Sequence, residues 1–291
     1  MPKRCAYLTM DDLSSFVSDA DMSIAPMAAL GWEVDMVSWR AREVRWDDYD
    51  LVYICTPWDY QDDAPAFLEV LQRIEASSAV LVNSLELVRW NIDKRYLAEL
   101  EQRGAAIVPS IFVDDFDVAD IPAWFAHHRS DKIVIKPVVG ANSDNIFVLS
   151  PEPPEATLAE LARVYASRSC FVQPFLPNIQ REGEYSLFFF GGEYSHAIIK
   201  KPKSGDFRSQ EEHGADIIPV IAPADLIETG RHVVALVEPS PAYVRADFLR
   251  SEDDRFLLME LELIEPSLYF RADAESAACF ARALTRQVGE P

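Results

Sequence analysis

The sequence has few cysteines and no apolar stretch of membrane-spanning length. Four cysteines lie far apart without a C-x-x-C pair, which predicts buried free thiols in a reducing compartment rather than a disulfide framework. The apolar run near the N-terminus ends at Asp11-Asp12 and is too short for a signal peptide. We therefore expect a cytoplasmic protein with no membrane partner. The cysteines are Cys5, Cys55, Cys170 and Cys279.

Basic residues are also scarce. The chain has 27 Lys and Arg against 48 Asp and Glu, which gives a formal net charge of −21 over 291 residues. A body this acidic repels nucleic acid and anionic lipid. An anionic ligand would therefore need a site with locally placed Lys and Arg or with a divalent cation.

The first part of the chain alternates apolar strands with helices. Strands are expected at Cys5–Thr9, Glu33–Trp39, Asp50–Cys55 and Ala79–Val82, with helices at Asp21–Leu30 and Asp62–Ala76 between them. This alternation favours a parallel sheet. Residues 1–88 are predicted to form an N-terminal α/β lobe on the substrate side.

The pattern changes after residue 88. We expect a helix at Ile92–Arg103, β-rich runs at Lys132–Pro137 and Asn145–Leu149, and two antiparallel hairpins further on. The predicted lobes are residues 89–170 and 171–291, both of mixed α+β type. The hairpins comprise Tyr185–Phe190 with Tyr194–Lys200, and Tyr243–Arg250 with Phe256–Ile264.

The second hairpin carries the strongest local chemistry. Because side chains alternate along a strand, a tight turn at Asp253-Asp254 places Asp247 across from Glu260 and Arg245 across from Glu262. Mg²⁺ prefers carboxylate oxygens and would relieve the repulsion between these acids. Periodicity equally allows an exposed polar face that Arg245 neutralises.

A lysine and a loop of small residues resemble a phosphate cradle. Lys136 ends an apolar strand, and Gly140-Ala141-Asn142-Ser143 follows, although the G-K-[ST] order of a P-loop is absent. A strand-end lysine that is simply solvated is the alternative. Lys200 and Arg208 flank a loop over 204–216 that would act as a lid or be disordered. The segment 171–177 would bind adenine through its backbone or serve only as a connector.

The order of these segments resembles the ATP-grasp superfamily, in the branch of glutathione synthetase and RimK-type ligases. The resemblance covers about residues 89–270. The matching segments are Asn91-Ile92-Asp93-Lys94, Val134-Ile135-Lys136-Pro137 with Gly140-Ala141, Gln173-Pro174-Phe175-Leu176, Gly183-Glu184-Tyr185-Ser186, Lys200, Arg208, Arg245-x-Asp247, and Glu260-x-Glu262 with Glu265-Pro266-Ser267.

This resemblance implies an ATP-grasp fold and a Mg²⁺-dependent, ADP-forming carboxylate–amine ligase. Arg208 and Arg245 would be catalytic, and Asp247, Glu260 and Glu262 would bind Mg²⁺. The implied ATP-binding residues are Lys94, Lys136, Gly140, Ala141, Ser143, Gln173, Pro174, Phe175, Leu176, Glu184 and Lys200. Glu262 stands where many relatives have Asn, which makes the site more acidic.

The run from Gly183 to His196, followed by Lys200-Lys201-Pro202, is similar to the cyclo-ligase branch that closes O-ureido-D-serine into cycloserine. The implied substrate is amino-acid-like or a short peptide. The N-terminal lobe should supply specificity, since ligands of open α/β sheets bind at the carboxyl ends of strands. The candidates there are Thr56, Trp58, Asp59 and Tyr60, with Ser267 from the C-terminal lobe.

Two other functions remain compatible with the sequence, namely a nucleotide-binding regulatory protein without turnover and an ATP-dependent phosphotransferase. Substrate identity, the nucleophile, an inter- or intramolecular reaction and the number of Mg²⁺ ions are left open, as is a homodimer.

Overall fold

The N-terminal part of the chain forms a four-stranded parallel sheet. The structure is a computed structural model that describes residues 2–140, 144–203, 205–206 and 208–289. The strand order is β2-β1-β3-β4, so the parallel sheet predicted from the alternation is confirmed. The strands are β1 (Lys3–Thr9), β2 (Trp32–Ser38), β3 (Leu51–Thr56) and β4 (Val80–Val82), and the helices are α1 (Ile24–Ala29) and α2 (Ala64–Glu75).

Helix α2 shows why this lobe folds locally. The Asp63 carboxylate accepts a hydrogen bond from the Ala66 amide at 3.2 Å and caps the helix. Phe67, Leu71 and Ile74 follow at helical spacing and are fully buried. The cap and the apolar stripe fix the helix against the sheet.

The helix predicted at Ile92–Arg103 is wrong in its bounds. Two helices, α3 (Leu85–Asn91) and α4 (Tyr96–Gln102), are separated by a turn that contains Lys94. The Asp93 carboxylate accepts from the Arg95 amide at 2.9 Å, a local bond that competes with helix continuation. Lys94 therefore lies between helices rather than within an entry helix.

The second sheet is antiparallel, with the strand order β5-β8-β6-β7. The strand of this sheet that comes last along the chain begins at Cys170 and pairs Gln173 with Val134. The segment around Gln173 therefore belongs to the second sheet. The lobe boundaries at 88/89 and 170/171 stay a prediction. The elements are β5 (Ile111–Val113), α5 (Ile121–His128), β6 (Ile133–Pro137), β7 (Phe147–Leu149), α6 (Glu155–Val164) and β8 (Cys170–Pro174).

The third sheet has five antiparallel strands in the order β11-β10-β9-β12-β13. Both predicted hairpins are confirmed. Strand β11, which contains Pro219, and helix α8 had not been predicted. The elements are α7 (Asn178–Arg181), β9 (Glu184–Phe190), β10 (Glu193–Lys201), β11 (Asp216–Val220), α8 (Ala224–Ala235), β12 (Tyr243–Arg250), β13 (Phe256–Glu262) and α9 (Ser276–Thr285).

The third sheet shares one hydrophobic cluster with the first sheet and another with the second. Tyr53 of β3 packs edge-on against Tyr243 of β12 and Phe280 of α9, with ring centroids 5.1 and 5.0 Å apart. Cys5, Cys55 and Cys170 are buried free thiols, as predicted, whereas Cys279 is a free thiol that is only half-buried. In the part of the chain that the structure describes, no helix is long and apolar enough to cross a membrane.

Candidate active site

One large cleft collects residues from the second and third sheets and from loops of the N-terminal part. Its volume is about 1690 Å³, counted with the solvent at its mouth. Most predicted site residues line it. Those from the N-terminal and middle parts are Trp58, Tyr60, Lys94, Lys136, Gly140, Gln173, Pro174, Phe175 and Leu176, and those from the third sheet and its loops are Glu184, Lys200, Arg208, Arg245, Asp247, Glu260, Glu262 and Ser267.

The register of β12 and β13 is the one predicted from the sequence. Asp247 pairs with Glu260 and Arg245 with Glu262 across the antiparallel ladder. A register shift follows directly between Asp247 and Phe248. The hairpin therefore presents three carboxylates and one guanidinium to the cleft.

Asp247 is held by two cations inside this cleft. It is 1% exposed; its Oδ1 accepts from the Ser186 hydroxyl at 2.6 Å and its Oδ2 from Lys200 Nζ at 3.2 Å. Arg245 Nε donates to both oxygens at 3.1 and 3.2 Å. Burial alone would raise the pKa of Asp247, yet Arg245 and Lys200 lower it to about 2. Asp247 is therefore ionised and fully hydrogen-bonded.

Lys200 joins Asp247 to a second buried acid, Glu184. The Lys200 ammonium forms an ion pair with the Glu184 carboxylate, which also accepts from the Ser209 hydroxyl at 2.7 Å. Burial raises the pKa of Glu184 in spite of Lys200. Ser209 belongs to the segment that precedes β11. Its hydrogen bond to Glu184 therefore fixes that segment against a buried residue of the cleft.

Glu260 and Glu262 are less buried, each with a side chain 28% exposed. Lys94 Nζ lies 3.0 Å from Glu260 and donates to the Gly140 carbonyl at 2.8 Å. Glu262 forms an ion pair with Arg245, and burial raises the pKa of Glu262 to about 7. Both carboxylates thus line the cleft, and each forms an ion pair with one basic side chain, Lys94 for Glu260 and Arg245 for Glu262.

The carboxylates of the hairpin suit a Mg²⁺ ion that is also bound by phosphate oxygens and water, rather than an ion bound by protein side chains alone. Among the described residues, no group of three His, Cys, Asp or Glu side chains could hold a metal ion. Mg²⁺ is usually bound by one or two carboxylates together with phosphate oxygens and water. Glu260 and Glu262 meet that requirement. Arg245 also neutralises the acids, but Asp247 and Arg245 are buried, so the alternative of an exposed polar face is wrong. Metal binding by these carboxylates stays a prediction.

The middle sheet supplies a lysine and an apolar strip. Lys136 has no ion-pair partner in the described ranges, burial lowers its pKa, and its Nζ lies 5.7 Å from the Phe171 ring centroid. Gln173 is buried and donates to the Ser110 hydroxyl at 2.9 Å. The Phe175 amide donates to the Lys132 carbonyl at 2.9 Å, so this N–H is not available to an adenine.

Two predicted substrate residues do not line the main cleft. The Thr56 hydroxyl bonds to Thr9 at 2.6 Å beneath a smaller cavity. The Asp59 carboxylate accepts from the Trp39 indole at 2.6 Å and pairs with Arg40 at 2.9 Å. These contacts hold the loop after β3 in place. The predicted residues Ala141 and Ser143 lie outside the described residues.

Other cleft residues were missed. Phe16 comes from the loop between β1 and α1, where no site was predicted, and Tyr269 lies in a left-handed conformation with φ 47°. Glu265 also lines the cleft. The sequence does not show that a tyrosine will adopt a positive φ. Only the motif Glu265-Pro266-Ser267 could have indicated Glu265 as a cleft residue.

The comparisons with known proteins agree along the whole chain. The N-terminal domain family of D-cycloserine synthetase DcsG matches residues 5–83, and the family of the prokaryotic glutathione synthetase ATP-grasp domain matches residues 98–239. The cycloserine biosynthesis protein DcsG of Streptomyces lavendulae is 29% identical over 294 residues, which cover 95% of this chain and 97% of the relative.

Solved structures show the same relationship. The crystal structure of D-cycloserine synthetase DcsG aligns with a TM-score of 0.87 and 27% identity, over 98% of this chain and 99% of that one. A RimK domain ATP-grasp protein from Sphaerobacter thermophilus shares the fold, with a TM-score of 0.71 and 15% identity over 97% of this chain and 99% of that one. Fold, cleft and matched families together identify the chain as an ATP-grasp ligase that resembles D-cycloserine synthetase.

Proposed function

We propose that this enzyme forms ADP while it activates the carboxylate of an O-ureido-serine-like amino acid as an acyl phosphate, and then closes a C–N bond within that molecule. The similarity to a cycloserine biosynthesis protein over 95% of the chain supports the substrate class. The observation that carries the chemistry is the register that sets Glu260 and Glu262 opposite Asp247 and Arg245 on the cleft wall.

ATP-grasp enzymes use ATP and Mg²⁺, and the charges of the cleft suit a triphosphate. We assign Lys94, Lys136 and Lys200 to the phosphate oxygens, with Gly140 beside them. The segment from Gln173 to Leu176 would hold the adenine, and Glu184 would lie near the nucleotide. Of the three lysines, Lys136 is the one that forms no ion pair with a described residue, so its charge is the most available to an incoming phosphate.

Mg²⁺ would supply charge neutralisation between the phosphates. Glu260 and Glu262 would hold it. Asp247, the third predicted ligand, could add an oxygen only if Arg245 or Lys200 turned from it towards the phosphates, because both of its oxygens accept bonds from these cations.

The remaining residues act on the reacting groups. A substrate carboxylate oxygen attacks the terminal phosphorus, ADP leaves, and the substrate nitrogen then attacks the acyl carbon as inorganic phosphate and a proton depart. Arg208 and Arg245 would stabilise the charge that develops in both steps. Trp58, Tyr60 and Ser267 would border the substrate. The segment around Ser209 would exclude water, which would otherwise hydrolyse the acyl phosphate.

The test is ADP release by Glu260→Gln with O-ureido-D-serine, ATP and Mg²⁺. We expect turnover to fall by about a hundredfold or more, because loss of a metal-binding charge removes several kcal/mol of transition-state stabilisation. The matched control is Glu193→Gln, which changes an exposed carboxylate at the start of β10. Near-normal turnover in Glu260→Gln would refute the metal assignment.

Product analysis separates the proposed ligase from the other candidates. A ligase product lacks the elements of water relative to its substrate, whereas a phosphotransferase product gains a phosphate. A regulatory nucleotide-binding protein would bind ATP and release no ADP with any substrate. Either of these two results would contradict the proposed function.

A further inference from the structure

One part of the cleft wall combines aromatic rings with a carboxylate that the mechanism above does not use. Phe16 and Trp58 lie against each other, with ring centroids 5.2 Å apart. The Trp58 indole donates to the backbone carbonyl of Glu265 at 2.9 Å, and burial, followed by the nearby charge of Glu265, raises the pKa of Tyr60. All four residues line the cleft.

Among the described residues, Glu265 is the acid of this cleft wall that forms no ion pair. Asp247, Glu184, Glu260 and Glu262 each pair with a lysine or arginine, but no cation of the described residues lies within 4.0 Å of Glu265. Burial, and next to it the charge of Glu262, raises the pKa of Glu265 to about 8, although Lys94 and Arg245 act in the opposite direction. A cation bound beside this half-buried carboxyl group favours its ionised form and pairs with it.

The surroundings decide which kind of cation fits. Mg²⁺ takes its ligands from oxygen donors, and the side chains that surround Glu265 on this wall are mainly aromatic. Aromatic faces instead attract organic ammonium groups, and one carboxylate can accept their hydrogen bonds. Phe16, Trp58 and Tyr60 supply such faces beside Glu265.

We propose that Glu265, framed by Phe16, Trp58 and Tyr60, binds the ammonium group of the substrate and makes the enzyme select amino acids over analogues that lack the amino group. This inference rests on the proposed function, because it names the part of an amino-acid substrate that this wall recognises.

The position of Glu265 would also orient the reacting end of the substrate. Two residues further on, the Ser267 carbonyl accepts from Arg245 at 3.3 Å, and Arg245 contacts both Asp247 and Glu262. A short segment therefore connects the ammonium subsite to the guanidinium that faces the acyl group. An amino acid held by its ammonium at Glu265 would present its carboxylate towards Arg245 at a fixed distance.

The test is calorimetric titration of the whole protein, loaded with Mg²⁺ and a non-hydrolysable ATP analogue. The ligands are O-ureido-D-serine and its des-amino analogue, in which hydrogen replaces the α-amino group. We expect the wild type to bind the amino ligand about 10 to 100 times more tightly, which is the range for a charge-assisted hydrogen bond. Glu265→Gln should lose this preference and keep its affinity for the des-amino ligand.

Two further variants keep the test decisive. Glu265→Asp retains the negative charge and should retain part of the preference, whereas the surface control Glu193→Gln should retain all of it. Unchanged affinity of Glu265→Gln for the ATP analogue shows that the variant is folded. Equal affinities of the wild type for both ligands, no measurable binding of either, or an unchanged preference in Glu265→Gln would overturn the proposal.

ADP release in the same proteins reports on the proposed function separately. A preference for the amino ligand that depends on Glu265, without ADP release, would support the subsite and refute the ligase reaction on this substrate. ADP release with equal use of both ligands would support the reaction and refute the subsite.

Discussion

The position of the two cleft carboxylates on β13 depends on side chains that bind the free edge of that strand. Strand β13 is the outermost strand of its sheet, and Asn91 takes the place of a neighbouring strand. Asn91 Nδ2 donates to the Leu261 carbonyl at 2.7 Å, and its Oδ1 accepts from the Leu263 amide at 3.0 Å. Since Leu261 lies between Glu260 and Glu262, this amide fixes the segment that carries both acids.

Replacing Asn91 by Ala would leave the Leu263 amide buried without a partner. Such an orphaned donor costs about 1–3 kcal/mol, and the second lost bond adds about 1 kcal/mol. The Tyr96 hydroxyl still reaches Leu261, accepting from its amide at 2.8 Å and donating to its carbonyl at 3.0 Å, so the strand edge is not lost entirely. We expect a loss of about 3 kcal/mol in the free energy of unfolding.

This loss corresponds to a fall of about 6 °C in Tm, at about 2 °C per kcal/mol for a chain of this size. The assay is thermal unfolding by calorimetry, with Gln72→Ala as the control, because it removes a solvent-exposed amide from α2. The control should stay within about 0.5 kcal/mol of the wild type. ADP release by Asn91→Ala should fall at least tenfold, since Glu260 and Glu262 lose their fixed position.

A Tm of Asn91→Ala within about 1 °C of the wild type would refute the reasoning on buried amides. An unchanged rate of ADP release in a clearly destabilised variant would refute the link between the strand edge and the reaction. The two readouts test separate steps of the argument, because stability reports on the hydrogen bonds and turnover on the placement of the acids.

Local sequence patterns were enough to predict the register of the β12–β13 hairpin and the parallel N-terminal sheet. Alternation along β12 and β13, together with the tight turn between them, was enough to pair Asp247 with Glu260 and Arg245 with Glu262. The parallel N-terminal sheet followed from its alternation of strands and helices for the same reason. The hairpin pairs two strands that are close in sequence, and the parallel sheet follows from the succession of strands and helices along the chain.

Local sequence patterns did not predict the structural role of Asn91. Its segment resembles the motif whose lysine contacts phosphate, but the Asn91 amide itself bonds to Leu261, 170 residues away. The helix bounds failed there too, because Asp93 caps a turn that interrupts the helical periodicity. Neither the long-range pair nor the turn has a signal in amino-acid spacing.

The N-terminal side of the cleft was predicted least well. The rule that ligands bind at the carboxyl ends of parallel strands selected the loop after β3, in which Trp58 and Tyr60 line the cleft; substrate binding by these residues stays a prediction. It could not tell that Asp59 in the same loop is held by Arg40 and Trp39. Which side chain of a loop faces the ligand depends on tertiary partners that only the folded structure supplies.

Two further predictions concern stability. Gly183→Ala should destabilise the protein by about 1–3 kcal/mol or more in chemical denaturation, because φ is +111° and a Cβ would lie 2.9 Å from the Lys200 carbonyl oxygen; Gly192→Ala, with φ +82° and no nearby atom, should cost less. Burial lowers the pKa of His196 to about 4 from 6.5. The unfolded chain therefore binds more protons between these values, and stability falls by up to about 3 kcal/mol as the pH drops from about 6.5 to about 4. Denaturation of the wild type and of His196→Gln, which cannot titrate there, should show their difference in stability shrinking over that range, and a constant difference would contradict the burial argument.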